Sequence, residues 1–68
     1  MSNLKLMRVM KGISQARLSV LSDVDPATIS RIETDSVRNT PGIQGAKRRI
    51  AAAMQTSIQC LFPEADNK

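Results

Sequence analysis

Residues 14–33, SQARLSVLSDVDPATISRIE, hold the side chains whose types and spacing suit chemistry. Placed on a helix at about 100° per residue, Ile29 and Ile32 fall on one side, while Ala27, Ser30, Arg31 and Thr34 gather opposite. That outer stripe is small and polar, with one long forked donor. A guanidinium can bond guanine O6 and N7 together, a serine hydroxyl can donate or accept, and an alanine methyl can touch a thymine methyl. Such a helix therefore suits the major groove of duplex DNA. On spacing alone, an ordinary solvated face explains the pattern equally well.

Other chemistries find less support. The chain has no histidine and one thiol, Cys60, so it offers no credible zinc or haem ligand set and no intramolecular disulfide. No carboxylates pair at a useful spacing, no glycine-rich loop could cradle a phosphate, and no base stands ready to activate Cys60. No catalytic residue, metal or cofactor is expected.

Sixty-eight residues make one domain near the lower limit for independent folding, burying only about 60% of the unfolded surface. Ten basic residues against six acidic give a net charge of +4. Every basic residue but Lys68 precedes Ile50, whereas Glu64 and Asp66 sit in the tail, so the folded part is the more basic. An anionic partner is implied. With Phe62 the only aromatic residue, the stacking platforms for single-stranded bases are missing, and duplex DNA leads. Lys5, Arg8 and Lys11 interrupt the apolar start before it could serve as a signal segment or span a bilayer. A soluble, cytoplasmic protein with no membrane association is expected.

The elements that must position these residues are all helical, since helical spacings recur along the chain and no strand alternation does. A first helix is expected over about 3–11, ended by Gly12 in a left-handed conformation. Ser14 caps a second helix, which runs through Leu18 and Leu21 to SDVD. Asp25 followed by Pro26 opens a third, to about Thr34, because aspartate caps orphan amides and proline fits the first helical position. After the loop DSVRN, Thr40 and Pro41 repeat that grammar and open a fourth helix to Met54, weakened slightly by Gly45. A last short helix is expected from Ser57 to Phe62, ended by Pro63. Residues 1–63 thus form the domain and residues 64–68 a short disordered tail. Met7, Met10 and Met54 read as core, Cys60 as a small apolar filler, and Lys47 to Arg49 as a solvated face.

The stretch resembles the helix-turn-helix of lambda-repressor-like, Cro-type regulators, matching without a gap at Ser14, Gln15, Leu18, Val24, Thr28, Ile29, Ser30, Arg31, Ile32 and Glu33. LKLMRVMKG is similar to the family's first helix and SIQCLF to its last. The resemblance implies a compact five-helix DNA-binding domain whose second and third helices form the motif. It implies that Gln15 holds a phosphate with its side chain and backbone amide. It places Pro26, Ala27, Ser30 and Arg31 at base edges, Thr28 and Thr34 beside the backbone, and Arg38 and Asn39 on the sugar-phosphate chain. It further implies a partly buried, structural ion pair between Arg8 and Glu33.

Departures matter too. Asp23 stands where the family usually has a glycine in the turn, and can still adopt a left-handed conformation at modest cost. Pro26 replaces a polar residue that reads a base in many relatives, and the loop and the fourth helix are slightly lengthened, which shifts the match to the family between Asp35 and Ile43. Leu6, Val9, Met10, Val20 and Leu21 occupy positions commonly charged in the family. A wider core, or a rolled first helix, is the expected account in so short a chain; the alternative is a contact surface for a partner or a second copy.

The expectation is therefore a sequence-specific, double-stranded DNA-binding transcriptional regulator. It acts as a repressor, reading the major groove with helix 3 (about 26–34) as a homodimer on a two-fold operator. Dimer contacts are expected from Ile58, Leu61 and Phe62, some of which must also serve the core. The alternative is a module that keeps the fold to bind protein, as an antitoxin, antirepressor or adaptor, through Leu6, Val9, Val20 and Leu21.

Overall fold

Capping residues and prolines decide where the helices begin. A computed structural model describes residues 2–34, 36–38 and 40–62. It contains α1 (Leu4–Met10), α2 (Gln15–Ser22), α3 (Pro26–Glu33), α4 (Pro41–Ala53) and α5 (Ile58–Leu61), and among the described residues no strand. The chain is all-helical, as its spacing implies. Pro63 and the tail 64–68 lie outside the described residues.

Four helices open on a side-chain cap. Ser14 Oγ accepts from the Arg17 amide at 3.0 Å, and an Asp25 carboxylate oxygen accepts from the Ala27 amide at 3.1 Å. Thr40 Oγ1 accepts from the Ile43 amide at 3.2 Å, and Ser57 Oγ from the Cys60 amide at 3.1 Å. Each satisfies an amide that the helix leaves without a carbonyl, a contribution of about 1 kcal/mol apiece. Pro26 and Pro41 begin α3 and α4, where their missing N–H costs nothing.

The chain breaks with left-handed residues. Gly12 (φ 69°) follows α1, and Asp23 (φ 57°) ends α2. Gln55 (φ 56°) does the same after α4, although neither glycine nor asparagine marks the spot in the sequence. The first and last helices are a residue shorter at each end than their spacing suggests, because the flanking residues serve as caps.

Every helix sends a large side chain to the centre. Leu4, Leu18, Ile29, Ile32, Ile50, Met54 and Leu61 are almost wholly shielded, with Val24, Ala51 and Phe62 completing the core. Burying one such aliphatic side chain contributes roughly 1.5–3 kcal/mol. The motif helices α2 and α3 pack on each other, α2 also on α4, α1 on α3, and α5 on α4. Asn3 joins the two ends of the fold: its amide donates to the Leu61 carbonyl at 2.7 Å and its side chain to the Cys60 carbonyl at 3.1 Å.

Several assignments made from spacing are corrected here. Met10 is 71% exposed rather than core, because α1 turns Leu4 and Arg8 inward and Met10 lies opposite them. The wider-core account of Leu6, Val9, Val20 and Leu21 fails too, since all four are exposed. Cys60 is exposed, and hydrogen bonds with the Ser57 and Thr56 side chains lower the pKa of its thiol. Leu61 and Phe62 are core residues, so they offer no apolar surface for a dimer contact, while Ile58 keeps partial exposure. Lys47 is half-buried with its ammonium 5.0 Å from the centre of the Phe62 ring, a cation–π contact rather than a purely solvated position.

Candidate nucleic-acid interface

The outward side of α3 is set by what its inward side must do. Ile29 and Ile32 are buried, which fixes the rotation of an eight-residue helix and leaves Ala27, Ser30 and Arg31 exposed on one stripe. Pro26 is exposed at the first turn, and Thr28 is half-buried on the flank that faces α4. The helix is therefore anchored by two side chains and presents three of the proposed base-edge residues together.

Its position relative to α1 and α2 is fixed by one carboxylate. Glu33, 3% exposed at its side chain, accepts from Arg8 Nε at 2.7 Å and from Gln15 Nε2 at 2.9 Å. Arg8 also donates through Nη1 to the Ile13 carbonyl at 2.8 Å, binding the turn between α1 and α2 to the same node. The last residue of α3, the first of α2 and the middle of α1 are thus held by charge-assisted hydrogen bonds, the stronger kind. Each Glu33 oxygen thus receives one donor. Glu33 occupies one of the two N–H groups of the Gln15 side-chain amide, leaving the other with the backbone N–H at the start of α2.

The C-terminal end of α3 is closed by Thr34. Its hydroxyl lies 3.2 Å from the carbonyl oxygens of both Ser30 and Arg31, and 2.7 Å from Ser36 Oγ. The Ser36 amide donates to the Arg31 carbonyl at 2.8 Å. The loop therefore folds back over the end of the helix. Ser36 was not singled out from the sequence, although its spacing of two from Thr34 is the signal that could have found it. Arg38 is exposed farther along this loop, and Asn39, its expected companion on the phosphate chain, lies outside the described residues.

Among the described residues, charge is uneven across this face. Asp23 and Asp25 sit exposed at the turn that starts α3, whereas Arg31 and Arg38 lie towards its far end and the following loop. Asp25 also fills the N-terminal capping site, so the start of α3 is not free to hold a phosphate. Behind the turn, Asp23, Asp25 and Arg49 line an open groove of about 550 Å³ against the first half of α4. Among the described residues no group of acidic, histidine or cysteine side chains could hold a metal ion, and no helix is long and apolar enough to cross a membrane.

A family model described as helix-turn-helix matches residues 4–44, which span α1, the α2–α3 pair and the start of α4. No significant match is found among curated proteins or solved structures.

Proposed function

The chain belongs to the helix-turn-helix family, in its lambda-repressor-like, Cro-type form, and is a DNA-binding regulator; from that premise we propose that it is a cytoplasmic, sequence-specific repressor. In this reading α3 enters the major groove, Arg31 bonds a guanine through O6 and N7, Ser30 bonds a neighbouring base edge, and Ala27 touches a thymine methyl. Pro26 and Asp25 carry no donor suited to a base, so readout is concentrated in the middle of the helix. Gln15, Thr28, Thr34 and Arg38, with Asn39, hold the sugar-phosphate backbone and set the register. The protein works as a homodimer whose half-sites lie about one helical turn apart, and represses by occluding the promoter.

The observation that supports this most is the exposed stripe of Ala27, Ser30 and Arg31 on a helix whose opposite side is buried. A solvated face would tolerate any polar side chains there, so substituting Arg31 separates the two readings. The test is selection of bound duplexes from a random pool at near-physiological salt, with Arg31→Ala in parallel. A two-fold motif that loses one preferred base pair per half-site in the variant is expected. An unchanged motif would remove Arg31 from base reading, and no enrichment at all would overturn the proposal.

A further inference from the structure

Thr34 carries one hydroxyl hydrogen and stands within reach of three oxygens, which fixes the direction of a hydrogen bond. Its Oγ1 lies 3.2 Å from the Ser30 and Arg31 carbonyl oxygens and 2.7 Å from Ser36 Oγ. A carbonyl can only accept, so the Thr34 hydrogen goes to the carbonyls and Ser36 is the donor between the two hydroxyls. The Ser36 amide donates as well, to the Arg31 carbonyl at 2.8 Å, the bond by which a chain leaving a helix satisfies an orphan carbonyl. Ser36 is therefore held to the end of α3 through both its backbone and its side chain.

The next two residues are pinned in turn. Val37 is half-buried against the core, and the Arg38 carbonyl accepts from the amide of Thr40, the cap of α4, at 2.9 Å. Arg38 itself is exposed. Its backbone is thus tied to the start of α4 directly and to the end of α3 through Ser36. The carbonyls that receive Thr34 and Ser36 belong to Ser30 and Arg31, the residues read as meeting base edges. The loop and the base-reading turn form one hydrogen-bonded unit.

We propose that Ser36 is a positioning residue: its hydroxyl, through Thr34, holds the loop in the pose from which Arg38 meets a phosphate of the DNA that Arg31 reads. Thr34 takes an indirect part in that backbone contact, as the acceptor for Ser36. A loop already ordered loses little freedom when Arg38 grips the backbone, whereas a loose one must be ordered by the DNA. Phosphate contacts set the register of a reading helix, and here the spacing between them and the base contacts is set before binding. This inference rests on the DNA reading and adds to it a residue that touches neither base nor phosphate. An ordinary helix end uses the same kinds of bond, but a cap alone would affect stability and leave DNA binding by the folded protein unchanged.

Titrations of the full chain at several salt concentrations test it, with one labelled duplex enriched by selection and one of scrambled sequence. Ser36→Ala is expected to bind both about fivefold more weakly, the scale of ordering the backbone of one residue. The slope of log affinity against log salt should stay the same, because Arg38 still meets its phosphate. Ser36→Thr keeps the hydroxyl and should restore the affinity. In an Arg38→Ala background, Ser36→Ala should cost nothing further. Thr34→Val removes the acceptor instead, should give the same uniform loss, and serves if Ser36→Ala fails to fold. In the free protein, backbone order parameters at Val37 and Arg38 should fall in Ser36→Ala and hold along α3. The proposal is overturned by undiminished affinity or an equally ordered loop in Ser36→Ala, by failure of Ser36→Thr to restore binding, or by an equal loss without Arg38. A salt slope shallower by about one in Ser36→Ala would overturn it too, by making Ser36 itself a phosphate contact. Each of these results leaves the DNA reading standing; if the unsubstituted protein binds neither duplex, that reading fails and the proposal with it.

Discussion

Arg8 and Arg31 show how two arginines in one small domain meet opposite surroundings. Arg31 is exposed, and in the proposed reading its fork is the group that meets a base. Arg8, 11% exposed at its side chain, has spent its donors on Glu33 and the Ile13 carbonyl. Truncating Arg31 to alanine should leave the melting temperature unchanged and weaken binding to the preferred operator by about 1–3 kcal/mol, relaxing selectivity at one base pair. Truncating Arg8 strands a shielded carboxylate, and should lower stability by about 3 kcal/mol, more than 10 °C in melting temperature for a chain of this size. Replacing Arg8 and Glu33 together by leucine and methionine should cost less than Arg8→Ala alone, since no charge is then left unpaired. Thermal melts of the three variants check this, and equal losses for the single and double changes would show that the pair is not the source.

At the scale of elements, the turns hold the readable surplus and deficit of stability. Asp23 adopts the left-handed conformation that closes α2, a geometry that strains a residue with a Cβ. Gly12 adopts it without strain, and a Cβ there would meet no atom within 4 Å, so any cost of substitution is conformational alone. Asp23→Gly should therefore raise stability by roughly 0.5–1 kcal/mol and Gly12→Ala should lower it by about 1 kcal/mol or more. Urea unfolding of both variants measures this, and a loss in the first would mean that Asp23 carries a role beyond the turn. The caps repeat along the chain for a related reason. Helices of four to thirteen residues are too short to persist by propensity, so each depends on its end groups and on one or two buried side chains.

For the molecule as a whole, charge and apolar surface divide the faces. The cations Arg31 and Arg38 lie on the side of α3 and its loop, while the apolar ridge of α1 points away from Glu33 and therefore from α3. Phosphate contacts add up over the whole face and make affinity depend on salt. Arg38→Ala should weaken binding to all sequences alike and reduce the slope of log affinity against log salt by about one, in titrations at several salt concentrations. An unaltered slope would take Arg38 off the backbone.

The sequence by itself determined the helices and the motif, because those rest on local rules: Ser14, Asp25, Thr40 and Ser57 cap where their spacing says, Pro26 and Pro41 follow two of them, and the Ile29–Ile32 pair sets which side of α3 faces out. Residues 14–33 also carried enough of the family's pattern to point to its fold. Only the tertiary structure decided the rest. Spacing could tell that Leu6, Val9 and Met10 share a face, but a helix has two sides, and it was the reach of Arg8 to Glu33 and the burial of Leu4 that turned that face outward. Leu61 and Phe62 could have served core or interface, and the core took both because so short a chain has few large side chains to close it. Burial depends on what the other helices bring to the same point in space, and no periodicity along a single helix contains that information.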